Sequence, residues 1–183
     1  MVTDTQSDDV LTFWFEETKP AQWWEKDAAF DRLVTARFGA VHRCAVVGEL
    51  YPWREDARGR LAEIIVLDQF SRNIHRDTAA AFATDGMALA LAQEVVAQGL
   101  DQTLSPMERT FIYMPYMHSE SLVIHDVALE LFRANGIAES LHFEVLHRDI
   151  IVRFGRYPHR NAILGRPSTD EELAFLQQPG SSF

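Results

Sequence analysis

The sequence predicts an all-α protein of about eight helices, arranged in antiparallel pairs within a single domain. Apolar residues recur at three- and four-residue spacing along most of the chain, and clear helix start and stop residues punctuate the pattern. Strand patterns are nearly absent. The links between the predicted helices are short and no Gly/Ser-rich linker interrupts the 183 residues, which favours one domain over residues 1–183.

The first four helices are bounded by ordinary capping residues. They are predicted over about 7–16, 27–46, 55–74 and 84–98. Thr84 begins the fourth helix with Asp85 in its first turn, and Gly99 lies just past its end. This is the usual asymmetry between the two ends of a helix.

The later helices have stronger start signals. Ser105, Pro106 and Glu108 form a capping box with proline at the first helical position, and Pro115 predicts a kink or an end of that helix. Two further helices are predicted over about 119–135 and 138–154. Ser168 with Glu171 predicts the cap of a last short helix through about residue 177.

Composition excludes some classes of function. The chain has 27 acidic residues against 17 basic ones and a net charge of −10, which argues against a general nucleic-acid binder. The N-terminus lacks a signal-peptide pattern, and no apolar run is long enough to predict a membrane span. Because Cys44 stands alone, no intrachain disulfide can form. We therefore expect a cytoplasmic protein.

The predicted helix 55–74 carries the first candidate site residues. Asp68 and Arg72 share a stripe with aliphatic residues, and the opposite side of this helix is also apolar, so the helix should be central. Four residues apart, Asp68 and Arg72 can pair away from bulk water. Gln69 and Asn73 add amide groups beside them.

The predicted helix 138–154 repeats this theme. Apolar residues surround most of it, while His142, Asp149 and Arg153 share a narrow polar stripe, so we expect a nearly buried helix with a second Asp/Arg pair. If the two helices pack side by side, the two pairs converge. Structural ion pairs that hold helix register are an equally good interpretation of the residue types.

The stretch RFGRYPHRNAILGR, residues 153–166, gathers arginines and a histidine without any lysine. Arginine suits planar, two-pronged contacts with carboxylate or phosphate, so the segment predicts an anion-accepting site. Gly155 and Pro158 should end the preceding helix. We expect Arg156, His159 and Arg160 to turn back toward Asp68 and Arg72, at the ends of the helices.

Motifs for metal or nucleophilic chemistry are weak. Glu139-x-x-His142 and Glu144-x-x-His147 match the pattern of di-iron helix bundles, but both lie on one predicted helix and point in different directions. No Gly-x-Ser-x-Gly elbow, phosphate-binding glycine loop or His-Glu-x-x-His motif occurs. We expect neither a metal nor a cofactor, and the enzyme class stays open.

Three long stretches resemble a known family. LDQFSRNIHRDTAAAFATD, ERTFIYMPYMHSES and RFGRYPHRNAILGRPSTDEE, with the early FWF and WW, resemble the bacterial domain-of-unknown-function family nine hundred and twenty-four over nearly the whole chain. The resemblance implies an all-helical fold similar to the tetratricopeptide-repeat superhelix, and it implies no activity. Ser71 departs from the family, which commonly has proline there.

Two hypotheses of different classes follow. In the first, a polar pocket binds an anionic small molecule through its carboxylate or phosphate, with His118, His147 or His159 as acid or base. The candidate binding residues are Asp68, Gln69, Arg72, Asn73, Glu108, Tyr113, His118, Glu120, Arg153, Arg156, His159, Arg160 and Asn161. In the second, a helical module receives a peptide or partner helix in a concave groove. We rank the pocket first and the groove second. A third interpretation is that these residues only maintain a polar core. The sequence does not indicate the oligomeric state.

Overall fold

The computed structural model describes residues 5–182, and within that range it is helical and contains no strand. Helix 7–17 ends in a π-helical turn, and helix 57–74 contains one at Val66–Phe70. The other main helices in this range are Ala28–Val46, Asp85–Ala97, Pro106–Met117, Leu122–Asn135, Ala138–Phe154 and Asp170–Phe175. The predicted all-α class with eight helices is confirmed.

Successive helices pack on one another in the second half of the chain. Pro106–Met117 contacts both Asp85–Ala97 and Leu122–Asn135, and Leu122–Asn135 in turn contacts Ala138–Phe154. This succession of packed neighbours is compatible with the tetratricopeptide-repeat-like superhelix that the resemblance implies. Pro115 does not end its helix early, since the helix continues to Met117.

Helix starts follow local capping chemistry. The predicted capping box is present: the Glu108 backbone N–H donates to Ser105 Oγ at 3.3 Å, and the Ser105 N–H donates to Glu108 Oε2 at 2.9 Å. The last helix is capped one residue later than predicted, by Thr169 with Glu172. Both pairs have the required spacing, but Glu172 also binds Arg156, which fixes the later register.

Helix 57–74 is the central helix, as the sequence predicts, and every residue from 61 to 70 is buried. The π-helical turn Val66–Phe70 leaves the Leu67 carbonyl to accept from two side chains, Ser71 Oγ and Thr84 Oγ1, both at 2.6 Å. His42 Nε2 lies 2.8 Å from Ser71 Oγ. Side chains from three segments thus support the turn that carries Asp68.

An aromatic core fills one side of the central helix. Phe70 packs against Phe38 with ring centroids 4.8 Å apart and against Trp14 at 5.6 Å. Phe13 lies 4.9 Å from Phe38, and Phe111 lies 5.6 Å from Trp14. We call these five residues the aromatic core; each is at most 2% exposed.

The expectation for helix Ala138–Phe154 is wrong in one respect. The helix is not nearly buried, since Val145 is 39% and Val152 54% exposed. Asp149 is exposed, and the Arg153 guanidinium binds Glu171 of the last helix, with Nη2 at 2.8 Å from Oε1. The second Asp/Arg pair does not join the first, because the last helix offers Arg153 a carboxylate at the surface.

The segment Ala79–Ala97 is long and apolar enough to cross a bilayer, judged by length and composition alone among the described residues. This differs from the expectation that no apolar run of the sequence is long enough for a membrane span. Its Ala88, Ala92 and Val95 side chains are each 0% exposed and belong to the main core. Core helices of soluble proteins meet the same criterion, so this segment is weak evidence for a membrane span.

Candidate functional site

A cavity of about 330 Å³ lies between the start of helix Asp85–Ala97 and the end of helix Pro106–Met117. Its polar lining consists of Asp85, His118, Ser119, Glu120 and Arg160. The rest of the lining is apolar or small: Ala79, Phe82, Ala83, Gly86, Leu89, Pro115 and Leu164. A small cavity with a few convergent polar groups is the usual form of a small-molecule site.

Asp68 orients the side chain of His118. His118 Nδ1 lies 2.7 Å from Asp68 Oδ1, and the Asp68 side chain is 1% exposed. Burial alone would raise the pKa of Asp68, but Arg72 and His118 hold it well below its usual range. A carboxylate can only accept, so Nδ1 donates, and a neutral His118 ring keeps the Nε2 lone pair for a ligand.

The His118 ring is neutral at pH 7. Burial and the nearby Arg72 guanidinium lower the pKa of His118, and they outweigh the opposing effect of Asp68. Among the residues that the structure describes, Asp68 is the hydrogen-bond partner of the ring, through Nδ1. An oriented, neutral imidazole in a cavity is the arrangement that general-base catalysis requires.

Two arginines share Asp85 at the edge of the cavity. Arg72 donates from Nη1 and Nη2 to the two Asp85 oxygens at 3.0 and 3.1 Å, and Arg160 Nη1 donates to Asp85 Oδ2 at 3.2 Å. Arg72 Nη1 also lies 3.1 Å from Asp68 Oδ1. We call these four residues the charged cluster. It contains two carboxylates and two guanidinium groups.

Arg160 is clamped between two aromatic rings. Its guanidinium carbon lies 4.5 Å from the Phe82 ring centroid and 4.6 Å from that of Tyr157. Burial and the like charge of Arg72 lower the pKa of Arg160. The planar stacking fixes the direction in which the guanidinium edge points, which lysine would not reproduce.

Three side chains hold the turn 117–119, which carries His118. The Tyr157 hydroxyl donates to the first carbonyl of the turn at 2.5 Å, Arg160 Nη2 to the second at 3.0 Å, and His125 Nε2 lies 2.8 Å from the third. Carbonyls at a helix C-terminus lack partners within the helix. Here side chains from the next helix and from the segment 157–160 supply those partners and so fix the position of His118.

Glu120, the next residue, is held in the same way. Its carboxylate accepts from Arg166 Nη1 at 2.6 Å and Nη2 at 2.9 Å, and from the Tyr157 backbone N–H at 2.7 Å. Burial alone would raise the pKa of Glu120. The hydrogen bonds from Arg166 and from the Tyr157 N–H have the larger, opposite effect, so the pKa of Glu120 lies below its usual value. Arg166 also donates from Nε to Asn161 Oδ1 at 3.0 Å.

Three histidines surround Tyr157, and a fourth, His118, lies beside one of them. His125, His147 and His159 have ring centroids 6.3, 5.8 and 5.5 Å from the Tyr157 ring, and His118 lies 6.4 Å from His147. Burial lowers the pKa of His147 to about 3 and that of His159 to about 4. No group of three His, Cys, Asp or Glu side chains within residues 5–182 is arranged to hold a metal ion.

Comparison with known proteins decides the family. The chain matches the model of the family described as "Bacterial protein of unknown function (DUF924)" over residues 10–180. The chain belongs to this family. The solved structure of the protein of unknown function ATU0120 from Agrobacterium tumefaciens is similar, with 42% identity and a TM-score of 0.89 over 93% of this chain and 96% of that one. No curated protein matches.

The resemblance read from the sequence is therefore confirmed. Of the candidate binding residues, His118, Glu120 and Arg160 line the cavity of this DUF924 member. Asp68 and Arg72 lie behind His118 and Asp85, and the Gln69 side-chain amide donates to Asp68 Oδ2 at 2.6 Å. The structure brings these six candidates together.

The other candidates have partners elsewhere in this DUF924 member. Asn161 binds Ser168 and Arg166, and His159 packs on Tyr157. Five candidates bind residues outside the cavity lining: Asn73 binds Asp31, Glu108 binds Ser105 and Arg58, Tyr113 binds Asp101, Arg153 binds Glu171, and Arg156 binds Glu172. In the segment 153–166, Arg160 reaches the cavity and Arg156 does not.

Sequence reasoning missed Asp85, Tyr157, His125 and Glu144. Asp85 looks like an ordinary acidic residue in the first turn of a helix. Tyr157 is 0% exposed and touches three of the clustered histidines, but a lone tyrosine in a loop gives no periodic signal. His125 Nδ1 lies 2.8 Å from Glu144 Oε1 across two helices, a contact that no local pattern predicts.

Proposed function

We propose that the cavity binds a small molecule that carries a carboxylate or phosphate group, and that His118 exchanges a proton with it as acid or base. The observation that carries the proposal is the meeting of His118 and Arg160 in one cavity lining. The His118 ring, neutral in the free protein and oriented by Asp68, supplies the group that exchanges the proton. Arg160 supplies a positive group for the ligand's anion.

The burial of the arginines supports a pocket over a groove. Arg160 is 6% exposed, whereas a peptide-binding groove would display its arginines and aromatic side chains along an open surface. The aromatic side chains Phe13 and Trp14, which could line such a groove, are each 1% exposed. Binding of a peptide or partner helix therefore has less support.

The ion pairs that Asp85 makes with Arg72 and Arg160 determine which arginine can bind the ligand. Arg72 and Arg160 already bind Asp85, so an incoming anion competes with Asp85 for the guanidinium edge of Arg160. Asp85 retains its two hydrogen bonds to Arg72 when Arg160 turns to a ligand. Arg160 is thus the group to bind the anion, and Arg72 the group that holds Asp85 and Asp68 in place.

The chemistry assigned to His118 is proton transfer. The Nδ1–H bond to Asp68 fixes the ring, stabilises the imidazolium that forms when Nε2 takes a proton, and leaves Nε2 as the accepting atom. The cavity lining from Phe82, Leu89, Pro115 and Leu164 is suited to the apolar part of the ligand.

We also propose a cytoplasmic location, where the buried Cys44 thiol stays reduced.

A cavity-filling variant tests the proposal. Gly86 lines the cavity, and a Cβ added there would meet no atom within 4 Å, so Gly86→Leu should occupy the cavity without disturbing the backbone. We expect carboxylic acids or phosphate esters to raise the melting temperature of the unmutated protein, but not that of Gly86→Leu. A ligand at a hundred times its Kd stabilises the folded state by about 2.7 kcal/mol.

The matched control is Ala90→Leu, an exposed position on the same helix that does not line the cavity. It should retain the ligand-dependent shift. Arg160→Ala should abolish binding while the protein still folds. The proposal fails if no acid or phosphate ester shifts the unmutated protein, or if Gly86→Leu responds as strongly as Ala90→Leu. Unfolding of Arg160→Ala at room temperature would instead favour a structural role for the charged cluster.

A further inference from the structure

The charged cluster is electrically balanced before any ligand binds. Its two carboxylates, Asp68 and Asp85, are matched by the two guanidinium groups of Arg72 and Arg160. The four side chains are 1%, 18%, 20% and 8% exposed, in that order, so little water screens them. An anion that enters the cavity adds one negative charge that the cluster does not offset.

The remaining groups around His118 do not change this balance. Glu120 is paired with Arg166, and burial raises the pKa of Tyr157 and lowers those of His147 and His159, which leaves these three neutral at pH 7. The charged and titratable groups that face His118 are Asp68, Arg72, Asp85, Glu120, His147, His159 and Arg160. The His118 ring is the group in this set best placed to gain a positive charge when an anion binds.

We propose that the cavity takes up a monoanionic carboxylate together with one proton, which comes from solvent and resides on Nε2 of His118. This inference rests on the proposed function, because it concerns the same cavity. The proton converts the neutral ring to an imidazolium, whose Nε2–H donates to the carboxylate while Nδ1–H stays on Asp68. The complex is then balanced again, with three negative and three positive charges.

The same charge count selects the ligand class. One imidazolium offsets one added negative charge, so a carboxylate is matched, whereas a doubly ionised phosphate leaves one charge uncompensated beside the largely buried charged cluster. The largest ring in the cavity lining is that of Phe82, beside Leu89, Pro115 and Leu164. A carboxylic acid with a short aliphatic chain or one aromatic ring suits such a lining.

Proton uptake gives the binding a definite dependence on pH. The ligand favours the protonated His118, so its affinity must rise as the pH falls. Between the lower pKa of His118 in the free protein and the higher one in the complex, Kd should increase about tenfold for each unit of rising pH. Outside that interval Kd should not change with pH.

Calorimetric titration with benzoate at pH 7.5 tests the inference. The binding enthalpy is measured in two buffers that differ in their enthalpy of ionisation, and the difference gives the number of protons taken up. We expect close to one proton per benzoate for the unmutated protein. Inorganic phosphate at pH 8, where it is mostly a dianion, should bind at least about tenfold more weakly than benzoate.

Two histidine variants sharpen the test. His118→Gln should lose the proton uptake and bind benzoate at least about tenfold more weakly at pH 7. His142→Gln removes an exposed histidine from helix Ala138–Phe154 and should behave as the unmutated protein does. If His118→Gln does not fold, the number of protons that the unmutated protein takes up still shows whether benzoate binds together with a proton.

Each other outcome overturns a definite statement. Benzoate binding that Gly86→Leu blocks but that takes up no proton would refute this inference and leave the proposed function standing. Proton uptake that persists in His118→Gln would refute His118 as its carrier. Phosphate dianion binding as tightly as benzoate would refute the preference for a monoanion. Failure of both probes to bind would overturn this inference, and the ligand screen with Gly86→Leu would then show separately whether the proposed function also fails.

Discussion

The two faces of the central helix solve different physical problems. Phe70 packs into the aromatic core, where the rings of Phe13 and Phe38 lie within 6.1 Å, and its contacts need only shape and volume. Asp68, two residues earlier, belongs to the charged cluster and needs a donor at each of its oxygens. Apolar burial has no direction, whereas buried charge requires partners at fixed distances and angles.

This difference predicts different responses to mutation. Loss of a side chain from the aromatic core removes buried area and leaves a cavity, so it should lower stability by a similar amount at every pH. Loss or titration of a group near the charged cluster should instead act through protons and hydrogen bonds.

Phe38→Ala should have the largest effect. Phe38 is 2% exposed and lies against Phe13 and Phe70, and deletion of such a ring typically lowers the free energy of unfolding by about 4 kcal/mol. Urea denaturation at pH 7 and at pH 6 measures it, and the loss should be the same at both. Phe143→Ala, at a ring that is 42% exposed, is the matched control and should change stability by less than about 0.5 kcal/mol.

A loss below about 1 kcal/mol for Phe38→Ala would show that the surrounding rings collapse into the space, against the description of a tightly packed aromatic core. A loss that differs between the two pH values would show that the core and the titratable groups are coupled. Either result would break the contrast between the two faces of the central helix.

The sequence predicts the helices and the burial of the central helix better than it predicts the polar contacts around the charged cluster. The eight helices and the centrality of helix 57–74 follow from periodicity and caps, because these signals are local. The pairing of Asp68 with Arg72 also follows, since the two lie four residues apart on one helix. Each of these expectations depends on residues that are close in sequence.

The rest of the candidate site depends on contacts distant in sequence. Arg160 meets Asp85 across 75 residues, and His118 meets Asp68 across 50. Asp149 and Arg153 have the same spacing as Asp68 and Arg72, but Glu171 takes Arg153 to the surface. The same Asp/Arg spacing therefore occurs once as a buried pair, Asp68 with Arg72, and once with an exposed arginine, Arg153. The packing of the helices determines which of the two forms.

Acid should destabilise the folded protein through two buried histidines, His147 and His159. The pKa is about 3 for His147 and about 4 for His159 in the folded state, whereas an unfolded histidine titrates near 6.5. Below pH 6.5 the unfolded chain therefore binds more protons, and stability falls as the pH falls. Between pH 6.5 and 5 the two residues together should lower the free energy of unfolding by about 3 kcal/mol.

Urea denaturation at several pH values checks this loss. His147→Gln should reduce the loss between pH 6.5 and 5 by about 1.5 kcal/mol, the contribution of one such histidine, while His142→Gln, at an exposed position of the same helix, should leave the loss unchanged. Unfolding free energies that stay constant from pH 6.5 to 5 would contradict the assignment of His147 and His159 as buried neutral groups.

The smallest effect is expected for Glu144→Gln, although Glu144 is 0% exposed and lies against a histidine. His125 Nε2 faces the Ser119 carbonyl at 2.8 Å, and since a carbonyl can only accept, Nε2 carries a proton. In a neutral ring Nδ1 is then the acceptor, so Glu144 must donate to it as the protonated acid. Burial, which outweighs His125 here, raises the pKa of Glu144 in agreement with this arrangement.

The second oxygen of Glu144 supports the same protonation state. Glu144 Oε2 is buried and has no hydrogen-bond partner in the described part of the chain, a position far more costly for a carboxylate than for a neutral acid. A glutamine amide has nearly the same shape and can donate to His125 Nδ1 in place of the acid. Glu144→Gln should therefore change the free energy of unfolding at pH 7 by less than about 1 kcal/mol. Glu144→Leu, which cannot donate, is the comparison and should cost more. A loss above about 3 kcal/mol for the glutamine variant would show instead that Glu144 is ionised and His125 charged, because removal of one partner from a buried ion pair has a cost of that size.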